Sequence, residues 1–151
     1  VEELRPRFAD MPALIEPLDP SAVLLTEYFD PSRDEDGEFC NRAGLGILRD
    51  EAEFAFEHVV APLNEMVADG VAAAGESDRP GREWVYDEGI AEQFSGHGYC
   101  AQPSDQQWVV DASDAPLRQG ELMGAFHPSD DGHIAISARL YPALRQALRG
   151  E

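Results

Sequence analysis

The chain has two segments that read as buried strands, A-V-L-L-T-E-Y-F-D at residues 22–30 and Glu83-Trp84-Val85-Tyr86-Asp87, and one long helical pattern lies between them. Strand, helix, strand is the order of a parallel crossover unit, because parallel neighbours need a connection of a dozen or more residues. Parallel strands normally require apolar cover on both faces, so two of them with a few helices make a poor sheet by themselves. The segment order therefore predicts an α/β layer fold with a parallel sheet, and the chain reads as part of a larger sheet.

The helical segments follow from periodicity. Residues 1–16 place Leu4, Phe8, Met11 and Ile15 at helical spacing, with a break or kink expected at Pro12. Residues 30–46 are polar loop. Asp50 with Glu53 predicts a capping box that opens a helix over 50–74, whose Phe56, Val59, Val60, Leu63, Met66, Val67 and Val71 keep to one face. Pro62 should kink it. E-S-D-R-P-G-R is a turn-rich connection, and residues 91–123 are mainly loop, with W-V-V-D at 108–111 as a candidate short strand. A final helix over 132–148 carries Ile134, Ile136, Leu140, Leu144 and Leu148 as its apolar seam. No repeat interrupts this order, so residues 1–151 read as a single α/β unit.

Charge restricts the partners. Thirty acidic residues face 11 basic ones, all arginine, for a formal net charge of −19. Such a chain repels phosphate backbones, which excludes nucleic acid as an expected partner. A coding bias with an acidic, soluble surface explains the imbalance as well as adaptation to high salt does. No apolar run approaches the roughly 18 residues of a membrane span. The first residue, Val1, is not methionine, which favours a processed or cut chain.

Cys40 and Cys100 belong to no C-x-x-C pair, and two thiols cannot build a structural zinc site. They are two buried thiols or one disulfide. Both sit in polar, glycine-containing loop sequence, G-E-F-C-N-R-A-G and G-H-G-Y-C-A-Q-P, which favours the disulfide and with it a secreted or extracytoplasmic location.

Four histidines remain to be placed. G-A-F-H-P-S-D-D-G-H-I-A-I-S holds His127 at the mouth of the last helix, and open α/β sheets gather their chemistry beyond the carboxyl ends of the strands. Pro128 biases His127 toward extended backbone, and S-D-D-G can cap the helix. The plain alternative is a capping loop whose histidine is merely exposed. His133 suits a structural role at the helix start, and His58 lies within the long helix. His97 sits between glycines near Cys100. A metal site from His97, His127, His133 and an aspartate has no supporting H-x-x-x-H or H-E-x-x-H spacing.

F-H-P-S-D-D-G-H-I-A-I-S resembles the last block of the SGNH (GDSL-type) hydrolases, where His-Pro is followed by Asn or Ser and later by Gly-His or Gly-Tyr. V-L-L-T-E-Y-F-D-P-S-R-D, A-P-L-N and G-H-G-Y-C resemble segments of secreted actinobacterial members, in the same order, from about residue 20 to residue 140. The resemblance implies a three-layer, flavodoxin-like α/β fold, represented here by its C-terminal part. It implies ester hydrolysis by a serine nucleophile with His127 as general base, a role suited to an imidazole, which titrates near pH 6.5 when free.

Two positions depart from the family. Three residues before His127, where an acid is usual, stands Gly124, whose carbonyl is the expected acceptor for the ring; Asp111 and Asp114 are the side-chain alternatives. The G-D-S nucleophile block and the G-x-N-D asparagine are absent, and Ser95 lies in no comparable motif. The expected partner is thus an N-terminal half or companion chain carrying the serine, and the expected substrate a small ester or lipid, with no cofactor and no metal. The competing readings are a secreted α/β binding module built on the same scaffold without catalysis, and a metal-dependent hydrolase.

Overall fold

The structure, a computed structural model, describes residues 2–42 and 47–149. Val1, Gly150 and Glu151 of the 1–151 unit, and residues 43–46 of the predicted polar loop, lie outside the described residues.

The chain is mixed α/β with a two-stranded parallel sheet. Pro12 divides the predicted first helix into α1 (Arg5–Ala9) and α2 (Met11–Ile15), taking a first-turn position where its missing N–H is no loss. A 3-10 turn, Glu16–Leu18, ends at Asp19 in the left-handed region (φ 46°) and turns the chain into β1 (Ala22–Thr26). The crossover is α3 (Arg49–Ala55), a π-helical turn (Phe56–Val60) and α4 (Ala61–Ser77), and it returns to β2 (Glu83–Asp87). The register runs from Ala22 opposite Glu83 to Thr26 opposite Asp87. Beyond lie α5 (Ile90–Phe94), the short α6 (Ala115–Arg118) and α7 (Asp130–Arg149).

Two local expectations are corrected. The capping carboxylate of the long helix is Glu51, which accepts from the Leu48 amide at 2.9 Å, so the pairing of Asp50 with Glu53 does not form. Leu48 is extended (ψ 156°), which puts Glu51 rather than Glu53 at the third helical position, where it can reach back. The kink expected at Pro62 is absorbed as the π turn just before it: Ala61 donates to Phe56 five residues back, and the helix continues through α4.

Arginines pin both ends of the sheet. At the amino ends, the buried Arg82 guanidinium donates to Glu16 Oε2 at 2.8 Å, to the Pro20 carbonyl at 3.1 Å and to both Asp78 oxygens at 3.2 and 3.0 Å. The Trp84 indole N–H donates to the same Asp78 carboxylate at 2.7 Å. At the carboxyl ends, Arg139 of α7 pairs with Asp87 at 2.5 Å and with the Glu88 carbonyl. The Asn64 carboxamide brackets the Tyr28 backbone, accepting from its amide at 2.7 Å and donating to its carbonyl at 2.9 Å.

All five residues of β1 and four of the five in β2 are half-buried, so neither strand has the full cover typical of parallel sheets. The main core lies elsewhere. Ile90, Phe94, Tyr99, Val109 and the two cysteines form it, with Phe29, Ile47, Trp108, Phe126, Ile136 and Leu140 packed against them. Phe29, three residues past β1, stacks on Phe94 of the helix that follows β2 (centroids 4.2 Å, 20°). The main buried cluster among the described residues therefore lies in the loop layer beyond the carboxyl ends of the strands.

Candidate active site

The loop layer is tied together covalently and by backbone. Cys40 and Cys100 are disulfide-bonded, as their loop context favours, and join the loop after β1 to the loop after β2. Gly98 makes the close approach possible: a Cβ there would stand 2.3 Å from the Arg33 carbonyl oxygen, and the Gly98 and Tyr99 amides each donate at 2.9 Å to the first loop. The buried Tyr99 hydroxyl accepts from the Ile47 amide at 2.9 Å and donates to the Ile47 carbonyl at 3.2 Å. Burial pushes this phenol above its ordinary pKa.

His127 is mounted on this layer through its backbone. The candidate strand W-V-V-D is a short antiparallel bridge to residues 126–129, not a member of the sheet. Val110 donates to the His127 carbonyl at 2.9 Å, Phe126 to the Val110 carbonyl at 2.9 Å, and Ser129 to the Trp108 carbonyl at 2.7 Å. Phe126 occupies the left-handed region (φ 65°), uncommon for a bulky side chain, and its ring packs edge-on against Tyr99 at 5.1 Å. That ring contact holds the strained residue in place, immediately before the histidine.

The glycines of the His-Pro block have steric reasons. A Cβ on Gly132 would lie 2.3 Å from the Trp108 carbonyl oxygen, so only glycine lets the first turn of α7 press on the bridge. Ser129 caps that turn, its hydroxyl accepting from the Gly132 amide at 3.3 Å and its carbonyl from the His133 amide at 2.8 Å. Gly124 is buried, and a Cβ there would meet the Gln119 side chain.

The ring of His127 is exposed, and among the described residues neither of its nitrogens has a hydrogen-bond partner. The Gly124 carbonyl accepts from the backbone amide of His127 at 3.3 Å. The two alternative acids are engaged elsewhere. Asp111 accepts from the Ser113 amide and hydroxyl, both at 2.6 Å, and pairs with Arg42 at 2.9 Å; Asp114 pairs with Arg118 at 3.6 Å. Burial raises the Asp111 carboxyl, but the Ser113 and Arg42 donors outweigh burial and hold it below the usual carboxylate range. Leu122 and Met123, in the turn leading to His127, are largely exposed.

The remaining histidines lie away from this mount or carry other contacts. His133 is exposed on the first turn of α7, and His58 stacks on Phe54 at 4.2 Å. His97 is the imidazole that sequence could not place. It stacks on Trp108 (3.7 Å, 5°), and its Nδ1 lies 2.8 Å from the Gln106 carbonyl, which as acceptor puts the proton on Nδ1. Only the tertiary pairing of the 97 and 108 segments reveals this. Ser95 ends α5, exposed and remote in sequence from the His127 mount. No group of three or more His, Cys, Asp or Glu side chains among the described residues could hold a metal ion. No described helix is long and apolar enough to cross a membrane, and the disulfide is compatible with an extracytoplasmic chain.

Compared with protein-family models, curated proteins and solved structures, the chain matches none.

Proposed function

We propose that this chain is the C-terminal part of an SGNH-type serine esterase or lipase, in the three-layer flavodoxin-like fold of that family, with His127 as its general base. One observation carries the reading: an imidazole with no hydrogen-bond partner among the described residues stands exposed on a backbone mount at the mouth of α7, in the layer beyond the carboxyl ends of the strands. The strained Phe126 and the sterically required Gly132 on either side support it.

The chemistry divides between two polypeptides. A serine on the N-terminal half or companion chain attacks the ester carbonyl while a ring nitrogen of His127 takes the hydroxyl proton. The imidazolium returns that proton to the departing alcohol, and a water molecule repeats the sequence on the acyl-serine. Gly124 contributes a carbonyl acceptor. Its oxygen takes the backbone amide of His127 at 3.3 Å, and a carbonyl oxygen carries two lone pairs. The exposed Leu122 and Met123 suit the apolar part of an ester or lipid. Secretion fits the disulfide.

The test is the intact mass of material purified from its native source, followed by hydrolysis of p-nitrophenyl acetate by the chain alone and by the chain with any co-purifying polypeptide. The expected result is a serine-bearing companion, no turnover by the isolated chain, and turnover by the assembly that His127→Ala abolishes. Equal turnover with and without His127 would reject the assignment. A companion complex that binds but hydrolyses nothing favours the non-catalytic binding module.

A further inference from the structure

α7 turns inward a face of small residues together with Ile136 and Leu140. Gly132, Ala135 and Ala147 are buried, whereas Ile134, Tyr141 and Leu148 are 65%, 61% and 60% exposed and Leu144 is exposed beside them. At 100° per residue, Ile134, Tyr141 and Leu148 fall within about 20° of a single line along the helix. Ile134 and Tyr141 line a shallow apolar depression with Ala138, Leu140 and Leu144, and Leu148 lies one turn beyond it. Isolated surface leucines need no explanation, but a continuous stripe of this kind marks a contact surface.

Charge is ordered along the same face. Asp130 and Asp131 stand at its amino end, Arg145 and Arg149 toward its carboxyl end, and no acidic residue lies between them in a chain of net charge −19. Asp131, Ala138, Arg145 and Arg149 share one flank of the stripe by the same angular count. The helix macrodipole accounts for which sign sits at which end, but not for the exposed apolar stripe between them.

We propose that this face joins two copies of the chain, with α7 antiparallel to α7 of the second copy about a two-fold axis at Tyr141. That axis brings Ile134 opposite Leu148 of the second copy and keeps each flank on its own side. Arg149 then lies beside Asp131 of the second copy, and the reverse pair forms at the other end, a self-complementary contact. A parallel pairing would put the two flanks on opposite sides of the contact and leave Asp131 and Arg149 without each other. Exposed ion pairs contribute little affinity, so the apolar stripe drives association and the charges select its direction. The contact is one helix of about 30 Å against another, short of a standard interface, and the acidic remainder of each copy opposes it at low salt. The dimer is therefore weak and concentration-dependent. This inference does not depend on the hydrolase reading.

Sedimentation equilibrium in about 0.3 M NaCl, where repulsion beyond a few ångströms is screened, tests it. From about 5 μM to about 1 mM chain, the mass should climb from 16.6 kDa toward twice that value. Tyr141→Asp, at the centre of the stripe, should weaken association by about tenfold or more. Arg149→Asp should weaken it several-fold, and adding Asp131→Arg should restore it, with helix content by circular dichroism unchanged in all variants. A wild-type mass that stays at 16.6 kDa throughout, as expected were the stripe reserved for a different polypeptide, overturns the proposal. So does dimerisation that Tyr141→Asp leaves intact, or a charge swap that fails to restore what the single change removed.

Discussion

The amide of Val110 donates to the carbonyl of His127 at 2.9 Å, and the Val110 carbonyl accepts in turn from Phe126 at 2.9 Å. Val110 is buried, so the backbone of the candidate base is fastened to the core while its ring stays in solvent. Replacing His127 by alanine removes the ring and leaves the mount. In an enzyme assembled with its serine-bearing chain, His127→Ala should lower kcat by several orders of magnitude, as loss of one member of a catalytic group does. His133→Ala should change it little. Ester hydrolysis by the two variants at equal folded concentration makes the comparison.

Gly132→Ala forces a methyl to within 2.3 Å of the Trp108 carbonyl oxygen, a backbone atom that cannot swing aside. Relief requires α7 to lift from the bridge. A loss of roughly 1–3 kcal/mol is expected, the usual cost of overpacking. Urea denaturation reads it, and an unchanged midpoint would contradict the close approach.

The disulfide closes a loop with a sequence separation of 60 residues. In the chain-entropy model this stabilises by about 4 kcal/mol. Thiol titration of the unfolded, unreduced chain should find no free thiol, and denaturation with reductant should shift to markedly lower urea. Two titratable thiols without reductant would refute the bond.

Acid should unfold the protein through Asp78 and Asp111. Burial raises both carboxyls, yet donors outweigh it: Trp84, Arg79 and Arg82 around Asp78, and Ser113 and Arg42 around Asp111. Their folded pKa values therefore lie below the ordinary 3.8. Their contribution is fully present above that value and is lost as pH falls through the lowered ones. Thermal melts should be level with respect to these two groups near neutrality and fall below about pH 4. Asp78→Asn and Asp111→Asn should each lower the neutral-pH melting temperature and flatten the acid limb. An acid limb unaltered in both variants would remove them as its cause.

Much of this organisation was legible because its causes are local. β-rich runs flanking one long helical pattern require a crossover, and β1 and β2 are parallel for that reason. Polar loop context around Cys40 and Cys100 favoured the bond that forms. The start of α7, with a proline, a capping serine and a glycine, was readable from His127 onward. What could not be read has non-local causes. The left-handed Phe126 is held by Tyr99, the His97 ring is placed by Trp108 and Gln106, and Asp111 is occupied by Arg42, 69 residues away.

The seam of α7 separates the two kinds of information. Sequence alone set a 3.6-residue period, and with it the fact that Ile134, Leu144 and Leu148 stand on a common side of one helix. The predicted seam also held Ile136 and Leu140, and the structure splits it: those two pack against the core, whereas Ile134 and Leu148 point to solvent. Periodicity fixes which residues share a face but carries no information about which way the face turns. Direction was decided by the fit of the helix to its surroundings. Gly132 rests on the Trp108 carbonyl and Arg139 is bound to Asp87, so Gly132 and Ala135 face inward with Ile136 and Leu140, and Ile134, Tyr141 and Leu148 are left outside.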